Sequence, residues 1–126
     1  MPSQNNSGNQ YDKQHATTVV ATVALLANRF CAYDGGYPSV AGGVKDSQGV
    51  TETSADIGSA VSVVTSYSYL VECSAAITFG DYVKTATDGT GRAAVGTLTD
   101  HCGRALGATT AAGQLVEVQI KTHVHA

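Results

Sequence analysis

Along most of the chain apolar residues recur at every second position, in short runs that end at glycine, proline or aspartate. The stretch LVEVQI is the clearest case. Val116, Val118 and Ile120 fall on one face, and Leu115, Glu117 and Gln119 on the other. Alternation of period two predicts a half-buried β-strand. Residues 66–71 follow the same pattern, with Tyr67, Tyr69 and Val71 set against Ser66, Ser68 and Leu70. Ile57, Val61, Val63 and Val64 form a separate apolar stretch just before them. The run VVATVALLA at 19–27 is long enough for a helix. Its β-branched residues Thr18, Val19, Val20, Thr22 and Val23 favour a strand instead.

Turn residues divide these runs. Asp34-Gly35-Gly36, Pro38 and Gly42-Gly43 predict a loop region with room for one short strand. In AITFGDYVKTATDGTGRAAV, Phe79-Gly80-Asp81 predicts a turn and Tyr82-Val83 the start of a strand. Asp88-Gly89-Thr90-Gly91 then predicts a hairpin turn, with the return strand over 93–98. A short strand around Arg104, Ala105 and Leu106, a turn at Ala111-Ala112-Gly113 and the LVEVQI strand complete the chain. The expectation is an all-β fold, a small antiparallel β-barrel or sandwich over residues 18–126. Residues 1–17, dominated by Gln, Asn, Ser and Gly, predict a disordered, extended N-terminal arm with Tyr11 as its one sizeable anchor. The sparsely charged QLVEVQIKTHV would be hazardous as an open edge, so burial at a subunit interface or pairing in a closed barrel is expected.

Composition narrows the function. With 126 residues the chain is one domain, able to bury roughly two-thirds of its unfolded surface. There is no Trp, so Val, Ala, Leu, Ile and Thr must build the core. Seven basic against ten acidic residues give a net charge of -3, which argues against nucleic acid and anionic membrane surfaces as partners. The run at 19–27 is too short to span a bilayer and lacks the basic flank of a secretory signal. A soluble protein made in a cytoplasm is expected. Cys31, Cys73 and Cys102 are widely spaced with no C-x-x-C pair, which predicts buried free thiols.

No motif for chemistry survives inspection. TDGTGRAA lacks the lysine of a phosphate-binding loop, and Gly89, Gly91 and Gly96 have the wrong spacing for a dinucleotide fingerprint. Asp81 and Asp88 could pair as acid and base, but both adjoin glycine in turns, where Asp bonds its own backbone. The Ser, His and Cys residues fall in no nucleophile elbow, and the neighbours His101 and Cys102 point to opposite faces of a strand. In THVHA, His123 and His125 share a face and could supply two metal ligands, the third coming from His15, His101 or another subunit. Two ligands are too few for a structural site. We therefore expect no catalytic residues, no cofactor and no metal.

SAAITFGDYVKTATDGTGRAAV followed by CGRALGATTAAGQLVEVQI resembles the small capsid cement, or decoration, proteins of tailed bacteriophages. The likeness rests on Gly80, Asp81, Tyr82 and Val83, then residues 88–93, 103–106 and 111–120, and covers roughly residues 57–120. It implies a non-enzymatic virion protein on the outer surface of the capsid, made in the host cytoplasm. Such proteins are trimers, less often dimers, seated at junctions between major capsid protein subunits, where they reinforce the shell. On this reading the arm contacts the capsid through Gln4, Asn5, Asn6, Tyr11, Lys13 and His15. Two other readings stand beside it. Six tyrosines, including those in SYSYL and AYDGGYP, suit a carbohydrate-binding or adhesion module of a virion or fibre. The cysteines and histidines would suit a small enzyme or metalloprotein.

Overall fold

The computed structural model describes residues 16–125. They form two antiparallel sheets. The strands are β1 (Ala16–Val20), β2 (Phe30–Ala32), β3 (Ser47–Thr51), β4 (Ala60–Val64), β5 (Ser68–Glu72), β6 (Tyr82–Thr85), β7 (Ala93–Val95), β8 (His101–Ala105) and β9 (Leu115–Val124). One sheet has the order β1-β4-β3-β2 and the other β5-β9-β8-β6-β7. The chain is all-β as expected, in two antiparallel sheets, neither of which closes on itself among the described residues. A single 3₁₀ turn, Gly43–Lys45, sits in the predicted loop region ahead of β3.

The alternation reads through to burial. Val71, Val116 and Val118 are buried, while Leu70 and Leu115 are exposed. Strand β9 pairs with β5 on one side and β8 on the other. The hazard expected of an open QLVEVQIKTHV edge is thus removed inside the sheet, without barrel closure. The hairpin over 82–95 forms with Thr85 opposite Ala93 and Val83 opposite Val95.

Two expected strands come out differently. The run at 19–27 is not continuous, because β1 ends at Val20. Ala21 donates to the Ser59 carbonyl and Thr22 to that of Gly35, which turns the chain off the sheet. Leu25 is thereby carried into the core, where it exchanges two backbone hydrogen bonds with Ala55. The return strand expected over 93–98 stops at Val95, and Thr97 instead closes a tight turn with Asp100. At the N-terminus, Ala16 and Thr17 pair with Val64 and Val63 of β4. The rest of the expected arm, residues 1–15, lies outside the described residues.

The core falls into two clusters, and one of them draws on both sheets. Phe30 and Val50 come from the first sheet but pack with Val71, Cys73, Ile77, Val83 and Val118 of the second half. Cys31, on the opposite face of β2, packs with Leu25, Val61 and Val63 in a second cluster. Strand β2 is therefore buried on both faces, and its short FCA sequence carries no polar position.

Candidate functional site

The two sheets meet where the end of β9 reaches the start of β3. Asp46, just after the 3₁₀ turn, faces His123 and His125 from the end of β9, with one donor atom of each within 4.8 Å of the others. The imidazoles stack, with centroids 4.4 Å apart. The His125 Nε2 meets the Asp46 Oδ1 in a short hydrogen bond. His123 Nδ1 accepts the Ser47 backbone N–H at 2.7 Å and lies 3.8 Å from Asp46 Oδ1. Its side chain is only 4% exposed. Burial pushes the His123 imidazole below its ordinary range, and the nearby Asp46 charge offsets this only in part.

The approach to this seam is fixed by a second contact. Lys45 Nζ lies 2.6 Å from Asp34 Oδ2. Burial alone would raise the Asp34 carboxyl, but hydrogen bonds from Lys45 and the Gly36 amide outweigh it and hold it below the usual carboxylate range.

The third partner of the histidines is thus Asp46, 77 residues from His123 in sequence (123 − 46), and not His101. His101 instead contacts the Thr97 carbonyl at 3.1 Å and packs on Tyr82, with ring centroids 4.7 Å apart. His15 lies outside the described residues. The trio has the composition of a metal centre, yet its donors do not fit one. The only lone pair of a neutral His123 ring is at Nδ1, and the Ser47 amide already uses it, leaving the proton on Nε2. The arrangement acts as a hydrogen-bonded latch that ties β9 to β3. We expect excess EDTA to leave the thermal unfolding midpoint unchanged, and a fall in the midpoint would show that an ion holds the latch.

Beside the latch, between Ser47 and Lys121, runs a groove of about 470 Å³. Tyr33 and Tyr67 line it from two separate stretches of sequence, together with Gln48, Gln119 and Lys121. Both tyrosines are well exposed, at 59% and 68%. Their backbones are pinned, since Tyr33 N–H donates to the Asp46 carbonyl and the Tyr67 carbonyl accepts the Ile120 N–H at 2.6 Å. Gln48 Nε2 donates to the Ala32 carbonyl at 3.0 Å, which anchors its carboxamide at the groove wall. Tyr67 has a backbone φ of 65°, one of two non-glycine residues in the left-handed region among those described.

No protein family and no curated protein matches the chain. Among solved structures it is similar to the crystal structure of the head fiber gp8.5 N base of bacteriophage phi29. The match covers 88% of this chain and 98% of that one, with a TM-score of 0.65 and 22% sequence identity. The two share a fold. The likeness takes in both sheets and extends well beyond the part of the sequence, 57–120, that carried the resemblance to decoration proteins.

The remaining candidates are structural. Asp81 Oδ2 accepts the Thr78 N–H at 2.9 Å, and Asp88 Oδ1 accepts from both the N–H and the hydroxyl of Thr90. The Thr90 hydroxyl and amide, then Arg92, hold the Asp88 carboxyl below its ordinary range. Both aspartates are thus engaged in turn chemistry. All three cysteines are buried and unpaired. Burial first, and then the Asp34 charge, raises the Cys31 thiol to about 11, and burial pushes Cys102 up further. Neither thiol is ionised at neutral pH, so neither is a ready nucleophile. The expected capsid-contact residues Gln4, Asn5, Asn6, Tyr11, Lys13 and His15 all lie outside the described residues.

Sequence reading missed an ionic tie on the far side of the sandwich. Arg29 Nη2 lies 3.2 Å from Glu72 Oε1, and its Nη1 donates to the Thr90 carbonyl at 2.8 Å. Arg92 adds a weaker contact to Glu72 at 3.7 Å. Removing Glu72 would leave the Arg29 guanidinium, 11% exposed, with its charge uncompensated. The Glu72→Ala variant should lose about 2 kcal/mol, below the usual cost for a fully buried pair because water reaches Glu72. Urea unfolding of this variant beside Arg92→Ala, which should lose less than about 1 kcal/mol, checks the ordering.

Proposed function

We propose that the chain is a structural component of a tailed-phage virion, seated on the outer surface of the head and bound to the major capsid protein at subunit junctions. The observation that carries this is the likeness to the phi29 head fiber base, which covers 98% of that chain and not merely one hairpin of it. The described residues agree in kind. They form a two-sheet body, and the chain as a whole has a net charge of only -3, suited to short-range docking on a repeated protein surface.

On this reading the chain carries out no reaction. Its work is adhesion to the shell, either as a cement that reinforces it or as a base that carries a longer projection. The phi29 neighbour supports the second role, and the resemblance of residues 57–120 to decoration proteins supports the first. Both roles require attachment to the lattice. A homotrimer, or less favourably a dimer, would supply several arms at once. One arm pays about 1–2 kcal/mol of backbone entropy per ordered residue, so joining arms strengthens binding through effective concentration.

Co-sedimentation with purified heads that lack the protein tests attachment. The full chain should pellet with heads, and a variant lacking residues 2–15 should pellet much less while keeping its β circular dichroism. That deletion spares Ala16 and Thr17, which belong to β1. A full chain that stays in the supernatant would overturn the proposal. Equal pelleting of the shortened chain would move attachment from the arm to the sandwich.

A further inference from the structure

We propose that the groove between Tyr33 and Tyr67 is a binding site for a pyranose oligosaccharide. The inference does not depend on capsid attachment. It starts from Tyr67, a non-glycine residue at φ 65° that is 68% exposed. Left-handed backbone is costly for any residue with a Cβ other than Asn or Asp, and strain of this kind is retained where a function needs it. Burial does not account for tyrosine at this position. A glycine or asparagine would satisfy the turn with less backbone strain, and the tyrosine instead sets an exposed ring at the wall of the groove.

The lining then selects the ligand class. Two tyrosines offer rigid faces that are apolar across the ring and polar at the tip. Gln48, Gln119 and Thr122 add carboxamide and hydroxyl groups able both to donate and to accept hydrogen bonds. A pyranose presents the complement, with a face of C–H groups to stack on a ring and a rim of hydroxyls to meet amides. Other ligands fit less well. Among the described lining residues Lys121 is the only charged one, too little for a nucleic-acid backbone. Ile120 is the only aliphatic one among them, too little for a lipid or an amphipathic helix. The volume of about 470 Å³ is within the usual span of small-molecule sites. The backbone hydrogen bonds at Tyr33 and Tyr67 hold both residues in place before a ligand arrives, which lowers the ordering cost of binding.

The test uses the full chain, fluorescently labelled, on an immobilised array of neutral, N-acetylated and acidic oligosaccharides, followed by titration with the trisaccharide bound best. The expected result is binding to at least one pyranose series. Affinity should fall about tenfold or more in Tyr33→Ala and in Tyr67→Asn. Asparagine tolerates the left-handed backbone, so Tyr67→Asn should keep its β circular dichroism while binding is lost. Phe79→Ala removes an equally exposed ring outside the groove and should leave binding intact. No binding on the array would overturn the proposal. So would binding that survives both tyrosine variants, or that Phe79→Ala abolishes equally.

Discussion

Replacing Phe30 with alanine is expected to remove about 3–5 kcal/mol of folding free energy, a large share of the 5–15 kcal/mol typical of a whole domain. Phe30 heads the fully buried side chains by volume and has no solvent exposure. Its position makes the loss more than local. It belongs to the first sheet through its pairing with Val50, yet it packs in the core of the second. Truncation would leave a cavity at the join of the two sheets, where backbone hydrogen bonds on both sides resist collapse. The Phe30→Leu variant keeps most of the volume and should lose under about 1.5 kcal/mol. Urea unfolding of both variants gives the comparison, with the midpoint reporting the loss and an unchanged slope reporting that unfolding remains a single transition. Equal losses would mean that shape, and not volume, governs this position.

The second large effect is expected at Gly91. Its φ is 72°, and a Cβ there would lie 2.8 Å from the Phe30 carbonyl oxygen and 2.5 Å from the Tyr37 ring. Its own carbonyl accepts the Phe30 N–H at 2.7 Å, so a shift of this turn would disturb the same join. Left-handed backbone costs an alanine about 1–2 kcal/mol. Steric displacement of a backbone oxygen and a packed ring adds about 1–3 kcal/mol. The Gly91→Ala variant should therefore lose about 3 kcal/mol. Gly89 is the internal control, with a φ of 79° but nothing within 4 Å of its Cβ position. Gly89→Ala should lose only the conformational part, about 1 kcal/mol. Thermal unfolding of the pair distinguishes the two contributions, and equal losses would contradict the assigned contact.

The contrast between Gly89 and Gly91 marks how far sequence reading goes. The pattern DGTG announced a hairpin turn, and the β6–β7 hairpin is there. Nothing local distinguishes a glycine that only turns the chain from one that also admits a neighbouring strand, because Phe30 is 61 residues away (91 − 30). The alternation of LVEVQI was enough to assign its buried face, since burial of a strand repeats with period two. Its place inside a sheet, between β5 and β8, was not, because strand order is a long-range property. The run at 19–27 misled for a related reason. Its β-branched residues favour extended backbone, but Ala21 and Thr22 bond to distant carbonyls that turn the strand aside.

The candidate sites divide in the same way. The spacing of His123 and His125 correctly placed both rings on one face, where they stack. Asp46, which completes the latch, carries no sequence signal, being a loop residue brought in by the packing of β3 against β9. The tyrosines of AYDGGYP and SYSYL were visible as exposed-ring candidates, but that Tyr33 and Tyr67 line one groove follows only from the fold. The Arg29–Glu72 tie was likewise invisible, since isolated charges beside or at the end of a strand read as solvated.

The measurement that bears most directly on the proposed place on the head is cryo-electron microscopy of virions of the phage proposed to carry this gene, compared with virions in which the gene is deleted. The account predicts density on the outer face of the head, at junctions between major capsid protein subunits, that fits the two-sheet body and disappears on deletion. Identical head maps from the two particles, or a difference confined to the tail, would contradict it.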